Sequence, residues 1–256
     1  MEYQSNKYYE IAIISDIGER AENEDAYGIE VSEENAAVIV CDGMGGFEGG
    51  KLASCMAVNE LMRLYRQRIN LKKIDEDFLV YAMDSVDIKV SNLRNEDGKK
   101  IHAGSTCVML VLQKKGMYCL SVGDSRLYLL RNNAIAQLTR DHTVALKAEN
   151  DYKSEKITYD EYLKAGEDKS TLCSYFGIGG IEIYDLNKEL YKLEKNDILV
   201  AVTDGLYKSL DISGIKNILL KNKDVKSMAE ELIYEAASYA KGKNQDNTTV
   251  AICKIK

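Results

Sequence analysis

Seven short runs of β-prone, apolar residues constrain this chain more than any other feature. They are Ile11–Ser15, Ala36–Cys41, Thr106–Leu112, Met117–Val122, Leu127–Arg131, Ile198–Thr203 and Thr248–Lys254. Each is rich in Val, Ile, Tyr, Cys or Leu and ends at turn residues, which reads as a strand. Lys114-Lys115-Gly116 reads as a hairpin between two of them. Asn132-Asn133 reads as another, leading into a short strand before Leu138. A spacing of three and four marks helices through Leu52, Cys55, Met56, Met62, Tyr65 and Ile69, and through Val225, Met228, Leu232, Ala236 and Tyr239. Both stripes read as core faces. Phe78 to Leu93 and Ile212 to Leu220 are further helix candidates. Two helices fall between early and middle strands and two between late strands, which is not the strict alternation of a doubly wound sheet. The expected class is α+β, with stacked antiparallel sheets and helices outside. Ala145 to Gly180 is charged, turn-rich and weakly periodic, with one short helix around Tyr159–Lys164. An irregular insertion of this length reads as a lid or binding loop, with a solvated surface excursion as the alternative.

The chain has 256 residues, of which 45% are hydrophobic, enough for a full core and against global disorder. We find no linker or repeat, so residues 1–256 read as one domain. A net charge of −7 argues against nucleic-acid binding. Lys72-Lys73, Lys99-Lys100 and Lys114-Lys115 are too short and dispersed for a basic stripe and read as solvated turns. No apolar stretch approaches a membrane span, and the first ten residues lack the regions of a signal peptide. The six cysteines lack paired spacing, and Cys41, Cys107, Cys119 and Cys253 lie inside apolar runs as small buried hydrophobes. A cytoplasmic location follows as the expectation. There is no proline.

Acidic residues stand where the runs stop. Asp42-Gly43 ends one and Asp204-Gly205 another, while Glu24-Asp25 and Asp246 each shortly precede a run. Hard cations take oxygen ligands, and glycine permits close backbone approach. Carboxylates far apart in sequence but each at a strand end can converge in one cleft, which suggests a Mg²⁺ or Mn²⁺ enzyme. Two such ions can clamp a phosphoryl group and generate hydroxide between them. Acids gathered this closely need a cation, since their repulsion would otherwise force protonation. Arg20, four residues before Glu24, could supply a bidentate fork for phosphate. Each residue has a plainer reading: an Asp-Gly turn for Asp42, as for Asp97-Gly98, and a surface arginine for Arg20. Only two histidines, His102 and His142, are present, and neither a G-x-S-x-G elbow nor a G-x-x-x-x-G-K-[ST] loop occurs.

These segments resemble the metal-dependent protein phosphatases, the type 2C serine/threonine phosphatases. The resemblance is carried by Ser15-Asp16-Ile17-Gly18-Glu19-Arg20-Ala21-Glu22-Asn23-Glu24-Asp25 and Val40-Cys41-Asp42-Gly43-Met44-Gly45-Gly46. It continues through Gly104-Ser105-Thr106-Cys107, Val122-Gly123-Asp124-Ser125-Arg126, Leu138-Thr139-Arg140-Asp141-His142-Thr143, Thr203-Asp204-Gly205-Leu206-Tyr207 and Asp246-Asn247-Thr248-Thr249-Val250. They occur in family order over nearly the whole chain. The resemblance implies a sandwich of two antiparallel β-sheets flanked by helix pairs, with a flap near 145–180. It implies two ions, Mn²⁺ or Mg²⁺. Asp42 would bridge them, Asp204 and Asp246 would complete one shell, and Glu24 with the Gly43 carbonyl would belong to the other. Asp25 would hold metal-bound water, Arg20 would grip the substrate phosphate, and Asp124 with Asp204 would hold a third, weaker ion. Met44 stands where the eukaryotic branch has a histidine, which looks like the bacterial branch. The proline- and arginine-bearing flap stretch common in bacterial relatives is replaced by Glu167-Asp168-Lys169-Ser170-Thr171. The expected activity is hydrolysis of phosphoserine and phosphothreonine in proteins by a bridging hydroxide, without a phosphoenzyme. A cognate kinase is the expected opposing partner. A phosphatase of small esters, a silent binding module and a structural metal protein are the rival readings.

Overall fold

The computed structural model describes residues 1–45, 49–69, 74–114 and 116–256. Gly46 of the second motif, Lys72-Lys73 and Lys115 of the expected hairpin lie outside the described residues. Two six-stranded antiparallel sheets form the centre. The first runs in the order β1 (Glu2–Ser5), β2 (Tyr9–Asp16), β14 (Thr248–Ile255), β13 (Ile198–Val202), β9 (Arg126–Arg131) and β10 (Ala134–Gln137). The second runs β11 (Asp185–Leu186), β8 (Gly116–Val122), β7 (Cys107–Gln113), β4 (Ala36–Cys41) and β3 (Ala26–Val31), with β12 (Tyr191–Lys192) also paired to β8. A two-stranded ribbon of β5 (Gly43–Met44) and β6 (Gly104–Ser105) sits off the end of β4.

Successive side chains of a strand point to opposite faces, and here both faces are covered. On β2, Ile11 and Ile13 enter the core between the sheets, where they meet Val38, Val40, Leu110, Leu129 and Ala251. Ala12 and Ile14 face the other way, onto α6 (Ile212–Lys221) and α7 (Val225–Ala240). On β4, Ala37, Ile39 and Cys41 turn outward against α1 (Gly49–Ile69) and α2 (Glu76–Ser91). The result is four layers: helices, sheet, sheet, helices. Each fully buried Val, Ile or Leu contributes about 1.5–3 kcal/mol, which is why strands buried on both faces read as unbroken apolar runs.

The α1 stripe is shifted from the expected one. Leu52 and Cys55 are exposed, as is Tyr239 on α7, while Gly50, Ala53, Ala57 and Leu61 face inward. Small residues on that face let the helix approach the second sheet closely. The Asn132-Asn133 hairpin occurs as expected, with both residues at positive φ. The stretch after β10 contains more helix than its weak periodicity suggests: α3 (Val144–Lys153) as well as α4 (Tyr159–Gly166). These two pack on each other through stacked Tyr152 and Tyr162 rings, 5.1 Å apart. Capping by Thr143 and a Thr158–Glu161 capping box set their starts. α3 buries only Ala148, so no apolar stripe announces it.

Candidate metal centre

Asp42 follows the last residue of β4, and its backbone is fixed from two sides. The Thr106 N–H donates to the Asp42 carbonyl at 2.9 Å and the Ser105 hydroxyl to the same oxygen at 3.1 Å. The Asp42 N–H donates to Thr106 Oγ1 at 3.1 Å. The next residue must be glycine: a Cβ on Gly43 would lie 2.2 Å from the Gly50 carbonyl oxygen and 2.5 Å from that of Glu24. A Cβ on Gly50 would lie 2.7 Å from Glu24 Oε1. The two glycines thus bring the start of α1, the end of β4 and the Glu24 carboxylate to one point.

Glu24 and Asp25 end the connection from β2 to β3. Asn247 ties that connection down: its Oδ1 accepts from the Glu24 N–H at 2.8 Å, and its Nδ2 donates to the carbonyls of Ile17 at 2.8 Å and Glu22 at 3.0 Å. Asp25 is 9% exposed. Its Oδ2 accepts from the hydroxyls of Thr203 at 2.9 Å and Thr249 at 2.7 Å, while its Oδ1 is buried with no hydrogen-bond partner. Burial pushes the carboxyl up to about 7, the two threonine hydroxyls oppose this, and the charges of Asp204 and Asp246 add to it. Asp42 is raised further by burial and then by the charges of Asp25, Asp204, Asp124 and Asp246. Glu24 is raised too, by burial and then by Glu22 and Asp246.

The remaining acids come from the first sheet. Asp204 opens the short helix α5 (Asp204–Tyr207) directly after β13, and Lys208 one turn later pairs with it. Asp246 lies two residues before β14 and takes the Arg20 guanidinium at 2.9 Å. Asp124 sits in the turn between β8 and β9, where its Oδ2 accepts from the Tyr207 hydroxyl at 3.0 Å. The Tyr207 ring is covered by the Arg126 guanidinium, 3.5 Å from its centroid, and Arg126 is held bidentate by Asp141 at 2.9 and 2.6 Å. Burial, then the Asp204 charge, raises Asp124.

One cleft of about 860 Å³ is lined by Arg20, Glu24, Asp42, Gly43, Asp124, Asp204 and Asp246. Asp25 lies beneath it. Every residue singled out in the sequence therefore meets at this end of the sandwich. Among the described residues, no three His, Cys, Asp or Glu side chains are already gathered around one point as ligands. The carboxylates of Asp246, Asp204, Asp124 and Asp25 turn instead to Arg20, Lys208, Tyr207 and the two threonines. The chemistry of the set still fits divalent cations: an all-oxygen donor set, Glu24, Asp25, Asp42 and Asp124 pushed upward by burial and then by neighbouring charges, a buried orphan oxygen and glycines with no room for a side chain. His102 lines the cleft, whereas His142 is fully buried; its Nδ1 accepts from the Gly123 N–H at 3.0 Å and its Nε2 lies 3.4 Å from Asp185 Oδ2.

The supporting residues Asn247, Thr203, Thr249, Lys208 and Tyr207 were given no role in the sequence, although all but Lys208 stand within the matching segments. Asn247 and Thr203 each adjoin a candidate ligand, and Lys208 stands one helical turn from Asp204, so position offered a signal for these three. Nothing local links Thr249 to Asp25 or Tyr207 to Asp124.

Two antiparallel sheets between helix pairs, with an acidic cleft at one end, define a class of phosphatases. Residues 15–233 match the model of the protein phosphatase 2C family. The chain belongs to the protein phosphatase 2C family, a family of metal-dependent enzymes, and is a protein phosphatase. Its relatives include the serine/threonine phosphatase stp of Listeria monocytogenes, 27% identical over 236 residues that cover 91% of this chain and 90% of the relative. Another is protein phosphatase PhpP of Streptococcus pneumoniae, 26% identical over 249 residues that cover 96% and 97%. Among solved structures, the S. agalactiae serine/threonine phosphatase superposes with a TM-score of 0.76 at 26% identity, covering 97% of this chain and 100% of that one. The PstP catalytic domain crystallised with two manganese ions superposes with a TM-score of 0.72 at 23% identity, covering 97% and 98%, and speaks to the fold.

Proposed function

We propose that this protein hydrolyses phosphoserine and phosphothreonine in proteins at a two-metal centre of Mn²⁺ or Mg²⁺. The observation that carries the reading is the convergence of Asp42, Asp204, Asp246 and Glu24 on one cleft, with Asp42 raised by burial and then by its acidic neighbours. Asp42 would be shared between the ions, with Asp204 and Asp246 on one side and Glu24 and the Gly43 carbonyl on the other. Asp124 with Asp204 would hold a third, weaker ion. When bound, such ions supply a water of lowered pKa as nucleophile and positive charge for the phosphoryl oxygens.

The protein's own groups do the rest. Arg20, 43% exposed at the mouth of the cleft, presents its fork to the phosphoryl oxygens and neutralises charge as it develops. Asp25 Oδ1, buried without a protein donor beneath the cleft, would accept a hydrogen bond from a water admitted there. Thr203 and Thr249 hold the other oxygen and so fix the carboxyl's orientation. Among the described residues, no hydrogen bond joins a serine of the cleft to a histidine side chain, and the reading expects no phosphoenzyme. Residues 1–256 act as one catalytic domain, with 145–180 as its flap. The stp relatives carry serine/threonine phosphatase in their name, which supports the substrate class. The cytoplasm is the proposed location and a serine/threonine kinase the opposing partner. Among the described residues, no helix is long and apolar enough to cross a membrane.

The test is hydrolysis of p-nitrophenyl phosphate and a phosphothreonine peptide with Mn²⁺, with Mg²⁺ and with excess chelator, beside Asp204→Asn. Turnover that needs metal and collapses in the folded variant is expected. Metal-independent turnover, or an unaffected variant, would overturn the reading.

A further inference from the structure

Ser170, Thr171, Leu172, Tyr175, Gly177 and Ile178 line part of the cleft, where the chain returns from α4 to the second sheet. The return ends in Phe176-Gly177-Ile178-Gly179-Gly180. Gly177, Gly179 and Gly180 have φ of +103°, +83° and +127°, in the region that favours glycine. Gly177 is also confined: a Cβ there would lie 2.6 Å from the Ala103 carbonyl oxygen and 2.9 Å from Val90 Cγ1. Phe176 closes the upstream side by exchanging backbone hydrogen bonds with Ser105, at 3.0 and 2.8 Å.

What holds this hook is a carboxylate the chemistry does not use. Asp87 lies on the inner face of α2, 4% exposed, between the core residues Met83, Val86 and Val90. Its Oδ1 accepts from the Gly177 N–H at 2.7 Å and the Gly179 N–H at 3.3 Å, and its Oδ2 from the Gly180 N–H at 2.6 Å. A charge buried among apolar side chains is costly unless its lone pairs are taken, and these donors come from one short segment of backbone. The segment lines the cleft through Tyr175, Gly177 and Ile178.

We propose that Asp87 is a positioning residue for phosphoprotein binding: it fixes the 175–180 wall against which the residues flanking the phosphorylated side chain lie. The inference rests on the phosphoprotein reading above. It follows from reach. The phosphoryl group is handled by Arg20 and the acids, whereas a peptide entering the cleft must also pass along Tyr175 and Ile178. Asp87 contacts no candidate ligand, so loosening the hook should leave chemistry on a small ester untouched.

Asp87→Asn keeps the shape but replaces one acceptor oxygen by an amide that opposes an N–H donor. With Mn²⁺ present, KM for a phosphothreonine peptide should rise about 10-fold, since small misplacement of binding groups has effects of that order. Both constants for p-nitrophenyl phosphate should stay within about 2-fold, and amide hydrogen exchange at 176–181 should accelerate. Gly180→Ala is the second variant. A Cβ there meets open space, but alanine resists φ of +127°, so it disturbs the hook without touching α2. It should show the same split. A parallel loss on both substrates in both variants, or an unchanged peptide KM, would overturn the assignment. Wild-type protein with no activity on either substrate would instead refute the phosphatase reading itself.

Discussion

Asp25→Asn should stabilise the chelator-treated protein at neutral and alkaline pH. In the fold the Asp25 carboxyl is raised from 3.8 to about 7, chiefly by burial. Below pH 4 both folded and unfolded states hold the proton and the group contributes nothing. Between pH 4 and 7 the folded state keeps a proton that the unfolded chain has released, so stability falls as pH rises, by about 1.4 kcal/mol per unit. Above pH 7 the full cost remains, about 4 kcal/mol. Asparagine removes it. Its carbonyl can still accept from Thr203 and Thr249, while its amide takes the unpartnered side at a cost of about 1–2 kcal/mol. The net gain at pH 8 is about 2–3 kcal/mol, or roughly 5–10 °C in Tm for a chain of this size. Thermal unfolding of both proteins in chelator, at half-unit steps from pH 4 to 8, measures it. The gap should close as pH falls and change sign toward pH 4, where only the amide's cost of about 1–2 kcal/mol is left. In saturating Mn²⁺ the order should reverse, because a cation relieves the repulsion that the substitution relieves by deletion. A variant no more stable than wild type at pH 8, or a gap independent of pH, would refute the reasoning.

Two further outcomes follow from other charged side chains. Arg20→Ala should raise KM for phosphopeptide about 10-fold or more without lowering calorimetric Mn²⁺ affinity, since the fork contributes hydrogen bonds to phosphate and no ligand atom, and its loss frees Asp246 from the 2.9 Å ion pair. An unchanged KM removes Arg20 from the site. Glu60, 3% exposed on α1, accepts from Arg63 at 2.8 and 2.7 Å, Lys89 at 2.7 Å and Ser85 at 3.2 Å, which holds its carboxyl at about 2. Its stabilisation is complete above pH 4.5 and lost as pH falls through 2, so Glu60→Gln should cost about 2–3 kcal/mol in urea unfolding at pH 7 and progressively less in acid.

The parts of the molecule legible in the sequence are those whose signal is local. Val38 to Cys41 and Ile198 to Val202 are apolar on both faces, so they announce themselves, and the acids at their ends inherit that visibility. β3 did not, because Gly28 interrupts Ala26–Val31. Its Cα faces Met62 and Val58 of α1, and a Cβ there would lie 3.0 Å from each of those side chains, which explains the glycine but only after folding. β1 is mostly exposed and carries no pattern at all. In the cleft, position at or near strand ends picked out Glu24, Asp25, Asp42, Asp204 and Asp246, and the family resemblance added Asp124, while the groups that orient them answer to contacts across the fold. The Asp87 hook is the extreme case: its partners lie about ninety positions apart and none has an unusual neighbour.

β14 is laid down after every other strand of its sheet, yet it is inserted in the middle, between β2 and β13. Its register joins Thr248 to Asp16 at one end and Ile255 to Tyr9 at the other. During synthesis, β2 and β13 each present a bare, apolar edge for as long as this strand is missing. Such edges invite pairing with other chains, and contacts of this sequence separation form slowly. The same delay keeps Asp246 and Asn247 away from the cleft until the sheet is zipped. A nascent chain is therefore a catalytically silent but adhesive object, and the step that ends its adhesiveness is the one that assembles the site.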